Sequence, residues 1–163
     1  GLGGGSADAA AMLKATIELF NLDIDPADLA LQLGSDVPFF LFGKNATVCG
    51  LGDEIEPLEL ETTHLVLVCP EYSCKTADVY KAFDSLEQPE GKQSNDLLLP
   101  AYAVERRLEK DMGCVKELIN QEIYLSGSGS TFFVICNNTE SASEIAKKIE
   151  QETELVAIAT RTC

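Results

Sequence analysis

Apolar side chains along this chain recur at helical spacing in some stretches and form short strand-like runs in others. Residues 8–20 carry apolar positions three or four apart, so they predict a helix whose buried face holds Ala10, Leu13, Ile17 and Phe20. The other predicted elements, in chain order, are a short helix that Asp25-Pro26 opens and Gly34 closes, strands over 46–50, 54–60 and 64–69, a helix over 76–83 with Thr76 as its N-cap, a helical segment from Ser94-Asn95-Asp96 towards Ile119 with a break at Gly113, strands on both sides of 126–130, a helix over 140–150 and a strand over 155–160.

The order of elements after residue 64 predicts the fold of the second part of the chain. The series is β-α-α-β-β-α-β, which is close to the ferredoxin-like split βαβ arrangement with a doubled first crossover. The polar segment 59–63 has no periodicity and separates this series from the elements before it. We therefore predict an α+β protein with a boundary between two parts near residue 60.

The chain starts with a glycine-rich segment, GLGGGSADAA, that leads directly into the first predicted helix. Ser6 is placed as an N-cap and Asp8 in the first turn of that helix. Glycines let the backbone approach a ligand closely, and the unpaired N–H groups of a helix start attract phosphate. The segment is neither a P-loop nor a dinucleotide fingerprint, because no Gly-Lys-Ser/Thr and no third spaced glycine follow. A merely exposed glycine-rich segment remains the alternative.

An aspartate stands between a glycine and a run of aromatic residues in the stretch GSDVPFFLFG, residues 34–43. Val37 precedes a proline, which favours extended geometry there and a stiff local backbone. We therefore expect Asp36 to be held, partly desolvated, beside an apolar wall. A positioned carboxylate of this kind can act as a general base; a capping or turn aspartate is the alternative.

A second glycine-rich stretch, SGSGS at 126–130, lies between two predicted strands. Its glycines and small hydroxyl residues would let another backbone meet a ligand or the first glycine-rich segment. The alternative is a hairpin in which glycine serves turn geometry alone.

Composition and charge limit the possible functions. The 163 residues are 45% hydrophobic and 24% charged, as in globular proteins. The net charge of −15 argues against nucleic-acid and anionic-membrane partners. Six cysteines without C-x-x-C spacing, with His64 as the one histidine, argue against a metal site and favour a reducing compartment. The chain begins inside its own glycine-rich segment without an initiator Met, so we expect it to be part of a longer protein.

The strings GLGGGSADAA, GSDVPFF and SGSGSTFF together resemble the signatures of the GHMP small-molecule kinases. The generic phosphate loop of that family has the form G-L-G-S-S-A, and the first string is a variant with extra glycines before Ser6. The resemblance covers essentially the whole chain. It implies that residues 1–60 are the last part of an ATP-binding N-terminal domain with a ribosomal-protein-S5-like fold, and that residues 61–163 are a ferredoxin-like C-terminal domain.

The resemblance also implies roles for individual residues. ATP, with Mg²⁺, would be bound through its phosphates, Asp36 would accept the proton of the acceptor hydroxyl, and Tyr80 would stack on a cytosine base. Tyr80 also fits the apolar face of its helix, so a core position stays open, and Asn95-Asp96 would be a helix cap rather than a ligand. The residues implied for ATP are Gly1, Leu2, Gly3, Gly4, Gly5, Ser6 and Ala7; those implied for the acceptor, a cytidine-diphosphate-linked methylerythritol, are Gly34, Thr76, Tyr80, Ser128 and Gly129.

Two departures from the family pattern affect these expectations. Ala7 stands where serine is common, which would weaken one phosphate or Mg²⁺ contact. The lysine that partners the catalytic aspartate belongs to a part of the family that precedes Gly1, so residues 1–163 alone would have little or no activity. Two other functions remain open, namely a GHMP kinase for homoserine or mevalonate and a non-catalytic nucleotide-binding module. We expect a location in the cytoplasm, or in the plastid stroma of a plastid-bearing organism; the oligomeric state is not predicted.

Overall fold

The computed structural model describes residues 1–86 and 95–162 and divides the chain into two compact units. The N-terminal unit comprises Gly3–Glu61, and the C-terminal unit comprises Thr62–Thr162 together with Gly1–Leu2. Ser94, at the predicted start of a helix, and Cys163 lie outside the described residues.

The N-terminal unit consists of three helices followed by a two-stranded antiparallel hairpin. Only three residues, Ala10, Ala30 and Val37, form its buried cluster, and Ala9, Phe40 and Leu41 pack against them. The elements are α1 (Gly4–Leu19), α2 (Pro26–Leu33), α3 (Val37–Phe42), β1 (Ala46–Cys49) and β2 (Glu54–Pro57).

Helix α1 begins earlier than predicted. Its N-cap is Gly3, which has a left-handed backbone, so Ser6 is a residue inside the first turn rather than the cap. Asp8 follows the first turn, which contains no acidic residue. The predicted apolar face is only partly buried, because Ala10 is buried whereas the side chain of Phe20 is exposed. The signals of α2 are confirmed: Asp25 caps the helix by accepting from the N–H of Ala27, and Gly34 closes it.

The C-terminal unit is a four-stranded antiparallel sheet with helices. The sheet order β4-β5-β3-β6, with every neighbouring pair antiparallel, is the order of the ferredoxin-like fold, which confirms that prediction and the α+β class. The elements are β3 (His64–Cys69), α4 (Thr76–Ser85), α5 (Leu98–Val104), α6 (Arg106–Ile119), β4 (Tyr124–Leu125), β5 (Phe132–Cys136), α7 (Thr139–Glu152) and β6 (Val156–Arg161).

The first crossover of this unit differs from the prediction in two respects. It contains three described helices rather than two, because the segment that the predicted series counted as one helix is divided into α5 and α6, and the division falls at Glu105 rather than at Gly113. Glu105 has an extended backbone and caps α6 through a bond from the N–H of Arg107 to its carboxylate. Gly113 lies within α6, and Thr76 is the first residue of α4 after its N-cap Lys75.

One face of the sheet carries the core of the C-terminal unit. Val66 and Val68 of β3 and Phe132 and Val134 of β5 are fully buried, and alternate residues of these strands are more exposed, as expected for a sheet with helices on one side. The five described cysteines are all free thiols, and no helix among the described residues is both long enough and apolar enough to cross a membrane.

Candidate active site: two glycine-rich segments and an exposed aspartate

The segment Ser126–Ser130 forms the turn between β4 and β5, and we call it the Ser-Gly turn. Gly127 and Gly129 have positive φ values of 55° and 82°, a conformation that side chains disfavour. A Cβ on Gly129 would also lie 3.1 Å from Leu125 Cδ1, so the core under the turn leaves little room for a side chain. These glycines are therefore required by the turn itself.

Each serine of the Ser-Gly turn makes a hydrogen bond to a different part of the C-terminal unit. Ser126 Oγ donates to the carbonyl of Gly1 over 2.7 Å, and Ser128 Oγ lies 3.0 Å from Thr76 Oγ1. Ser130 Oγ donates to the carbonyl of Tyr72 over 2.5 Å. Ser128 and Ser130 are both buried, so their hydroxyl groups need these partners.

The prediction that this turn meets the first glycine-rich segment is confirmed at Gly1. A Cβ built on Gly1 would lie 2.5 Å from the carbonyl oxygen of Ser126, so the two backbones approach more closely than a side chain would permit. Gly1 and Leu2 group with the C-terminal unit, and Gly3 is the first residue of the N-terminal unit.

Tyr72, which accepts the bond from Ser130, is itself held by two charged side chains. Its hydroxyl donates to Asp111 Oδ2 over 2.6 Å, and the guanidinium of Arg107 lies 4.4 Å from its ring centroid. Burial, followed by the bond to Asp111, raises the pKa of the Tyr72 phenol far above its ordinary range. The phenol therefore stays protonated, and its bond to Asp111 helps to hold Tyr72, whose backbone carbonyl accepts from Ser130.

In the N-terminal unit, the start of α1 presents backbone N–H groups. The first bond of the helix runs from the N–H of Ala7 to the carbonyl of Gly3, so the N–H groups of Gly4, Gly5 and Ser6 precede it. A Cβ on Gly3 would lie 2.8 Å from the ring of Phe40, and no atom lies within 4 Å of one on Gly4 or Gly5. Such a helix start can bind an anion.

Asp36 occupies the N-cap position of α3, and its surroundings differ from the expectation. The residue is exposed rather than partly desolvated, and its side chain makes no capping hydrogen bond. Val37 is the first helical residue rather than extended, because the proline after it stands in the first turn, where a missing N–H costs nothing. Among the described residues, the Asp36 carboxylate has no ion pair and no hydrogen bond.

The backbone around Asp36 is fixed by close approaches on both sides. The turn of the β1–β2 hairpin packs Gly52, at φ +102°, directly against the carbonyl of Ser35. One helical turn after Asp36, Phe40 packs against Gly3, and its N–H donates to the Asp36 carbonyl. Sequence reasoning missed the role of Gly52, whose only signal was its place in a glycine-containing turn.

Tyr80 and Asn95 lie along one groove of the C-terminal unit, with a volume of about 480 Å³. Tyr80 is 52% exposed, so its helix buries Val79 instead and the core alternative for Tyr80 is wrong. Asn95 was expected to be a helix cap; it accepts from the N–H of Leu97, the residue before α5, and it also contacts the Ser-Gly turn. The other residues along the groove are Phe83, Asp96, Leu97, Tyr124, Leu125 and Phe133.

Among the residues that the structure describes, there is no group of three or more His, Cys, Asp or Glu side chains that could hold a metal ion. Gly34 contributes its N–H to the carbonyl of Ala30 at the end of α2. The assignment of Gly34 to an acceptor, like the other predicted ligand roles, stays a prediction.

Comparison with known proteins identifies the class to which these elements belong. Residues 1–44 match the family model described as "GHMP kinases N terminal domain". A crystal structure of 4-(cytidine 5'-diphospho)-2C-methyl-D-erythritol kinase matches with a TM-score of 0.78 and 29% identity, over 98% of this chain and 65% of that chain. The chain belongs to the GHMP kinase family.

Within that family, the similarity is to proteins of one name. The chain is 35% identical to the 4-diphosphocytidyl-2-C-methyl-D-erythritol kinase of Pelotomaculum thermopropionicum, over 99% of this chain and 64% of the relative. It is 33% identical to the protein of the same name from Thermus thermophilus, over 91% of this chain and 60% of the relative. The chain spans about half to two thirds of the length of the curated relatives that it matches.

Proposed function

We propose that the protein carrying this chain transfers the γ-phosphoryl group of ATP to a hydroxyl of 4-diphosphocytidyl-2-C-methyl-D-erythritol, a step of non-mevalonate isoprenoid precursor biosynthesis. The observation that carries the proposal is the similarity to kinases of that name along nearly the whole chain. The exposed carboxylate of Asp36 and the glycine-rich start of α1 are two features that phosphoryl transfer can use, a base for the acceptor hydroxyl and a binding place for phosphate.

In this proposal, the N–H groups from Gly1 to Ala7 bind the phosphates of ATP, and the helix start of α1 stabilises their negative charge. Mg²⁺ would be held mainly by phosphate oxygens, because this ion usually binds through one or two carboxylates plus substrate phosphates. The metal supplies neutralisation of the charge that develops during transfer.

Asp36 is the proposed general base. Its carboxylate accepts the proton of the acceptor hydroxyl while that oxygen bonds to the γ-phosphorus and the bond to the β–γ bridging oxygen breaks, which leaves ADP and the phosphorylated acceptor. The exposure of Asp36, and the absence of any bond to its carboxylate among the described residues, support this role because an unengaged carboxylate is free to accept a proton.

The acceptor is proposed to contact Gly34, Thr76, Tyr80, Ser128 and Gly129. Tyr80 presents an exposed ring on which a cytosine base can stack, an interaction worth about 1–3 kcal/mol. The hydroxyl pair of Thr76 and Ser128 offers a donor and an acceptor beside the Ser-Gly turn. Free thiols at all five described cysteines support a reducing compartment, and we propose the cytoplasm.

The test is transfer of labelled phosphate from ATP by the protein at its natural length. We expect transfer to 4-diphosphocytidyl-2-C-methyl-D-erythritol and none to homoserine or mevalonate. Transfer to one of the latter acceptors instead would replace the substrate, and ATP binding without transfer to any of the three would indicate a non-catalytic nucleotide-binding module.

A further inference from the structure

Asn95 uses its whole side-chain amide to join two elements of the C-terminal unit. Its Oδ1 accepts from the N–H of Leu97 over 2.9 Å, immediately before helix α5. Its Nδ2 donates to two carbonyl groups, that of Leu125 over 3.0 Å and that of Gly127 over 2.8 Å. An amide nitrogen carries two hydrogens, so both donors are engaged.

The two carbonyls that Asn95 holds stand on either side of Ser126. Ser126 is the residue that reaches the first glycine-rich segment, through the bond from its hydroxyl to the Gly1 carbonyl. Its own carbonyl accepts from the N–H of Gly129, which closes the turn. Asn95 thus holds the peptide group that precedes Ser126 and the one that follows Gly127, and the Gly129 N–H holds the peptide group between them, so the direction of the Ser126 side chain is fixed.

This turn needs such a fixation because of its composition. Glycines at positions 127 and 129 give the unfolded or loosened turn more accessible backbone conformations than other residues would. The bonds of Asn95 restrict the first of these glycines directly, since one of them ends on the Gly127 carbonyl.

We propose that Asn95 is a positioning residue for phosphoryl transfer, which holds the Ser-Gly turn, and through Ser126 the backbone of Gly1, in the geometry that binds ligand. The expected kinetic effect rests on the proposed function, whereas the hydrogen bonds by which Asn95 holds the turn, which we call the Asn95 clamp, do not. Asn95 acts through Ser126 and Gly127 and needs no contact with either substrate.

Two substitutions separate this role from simple helix capping. Asn95→Asp keeps an oxygen for the Leu97 N–H and is an equally good cap, but it replaces the donor with a charged oxygen facing two carbonyls. Asn95→Ala removes both functions. Asn138→Asp is the matched control, because Asn138 caps α7 by accepting from the N–H of Ser141 and its amide donor has no partner among the described residues.

Steady-state kinetics of the protein at its natural length give the first readout. We expect Asn95→Asp and Asn95→Ala both to lower kcat/KM for the acceptor by about tenfold or more, which corresponds to the loss of one or two net hydrogen bonds. Asn138→Asp should stay within about twofold of the unsubstituted protein. If Asn95→Asp matches the unsubstituted protein while only Asn95→Ala is impaired, Asn95 is a cap and the proposal is wrong.

Amide hydrogen exchange gives a second readout that does not depend on the reaction. The N–H of Ser126 donates to the carbonyl of Thr131, and the N–H of Gly129 donates to the carbonyl of Ser126. We therefore expect faster exchange at both N–H groups in Asn95→Asp and unchanged exchange in Asn138→Asp. Unchanged exchange in Asn95→Asp would overturn the clamp. If the unsubstituted protein transfers no phosphate, the proposed function is wrong. Amide hydrogen exchange then still tests whether Asn95 holds the turn. Asn95→Ser, which keeps a short acceptor for Leu97, replaces Asn95→Asp if the latter does not fold.

Discussion

The two units hold their candidate functional residues by different means. In the C-terminal unit, side chains hold the Ser-Gly turn: three serine hydroxyls and the amide of Asn95 all bond to fixed partners. In the N-terminal unit, Asp36 has no such bonds, and its backbone is held by close approaches at Gly52 and Gly3.

The C-terminal unit also has the larger cluster of buried residues. Sixteen buried residues form the cluster of the C-terminal unit, against three in the N-terminal unit, among the residues that the structure describes. Leu19, in α1, is 78% exposed. We infer that several side-chain bonds share in holding the Ser-Gly turn, whereas the geometry at Asp36 depends on a few backbone contacts, so that single substitutions there have larger effects.

The largest expected effect comes from removing the carboxylate of Asp36. Asp36→Asn keeps the size of the side chain but cannot accept the hydroxyl proton, so we expect kcat to fall by about 10²–10⁴-fold while the affinity for ATP is retained. Phosphate-transfer assays and ATP titration measure the two quantities. Asp28→Asn, in the first turn of α2, is the control and should leave both unchanged. Equal activity of Asp36→Asn and the unsubstituted protein would remove Asp36 as the base.

The second largest effect is expected on stability, from a substitution at Gly52, which packs against the carbonyl of Ser35, the residue before Asp36. Gly52→Ala would place a Cβ against the Ser35 carbonyl at a φ of +102°, and we expect a loss of about 2 kcal/mol or more in the free energy of unfolding. Urea unfolding measures it. Gly113→Ala, inside α6 with no atom within 4 Å of the added Cβ, should instead stabilise the protein by about 0.5–1 kcal/mol. Equal effects of the two substitutions would contradict the assignment of Gly52.

The sequence was informative wherever a local pattern decides the structure. Asp25-Pro26 and Gly34 delimited α2. A continuous apolar run predicted β3, and the order of elements predicted the type of sheet in which β3 pairs with β5. The Ser-Gly turn was predicted because glycine and serine residues between two predicted strands indicate a turn.

The features that the sequence did not predict depend mostly on contacts between residues distant in the chain. Gly52 touches Ser35, and Asn95 touches Leu125 and Gly127 about thirty positions later. Neither contact leaves a periodic signal. The start of α1 was misplaced because serine and glycine are both favoured N-cap residues, and Gly3, with its positive φ, rather than Ser6 occupies that position.

A smaller effect is expected where the C-terminal unit has several supports. Thr76→Val keeps the shape of the side chain and removes the bond to Ser128, whose hydroxyl is buried. We expect the KM for the acceptor to rise about fivefold, equivalent to about 1 kcal/mol, with the KM for ATP unchanged. Thr76→Ser retains the hydroxyl and should restore the KM. A KM for the acceptor that Thr76→Val leaves unchanged would remove this hydroxyl pair from the acceptor site.

The smallest expected effect is electrostatic and lies at Glu105, the N-cap of α6. The bonds from Arg107, through its side chain and its N–H, lower the pKa of Glu105 from 4.5 to about 2. Because the folded-state pKa is the lower one, this stabilisation is present above pH 4.5 and is lost as the pH falls through 2. Glu105→Gln keeps the capping oxygen but not the charge, so its urea midpoint should lie below that of the unsubstituted protein at pH 7, and the gap should narrow as the pH falls from 4.5 towards 2. Because the Arg107 side chain of this pair is 65% exposed and solvent screens its charge, the gap should be small even at pH 7. A gap that does not depend on pH would mean that Glu105 acts only as a cap.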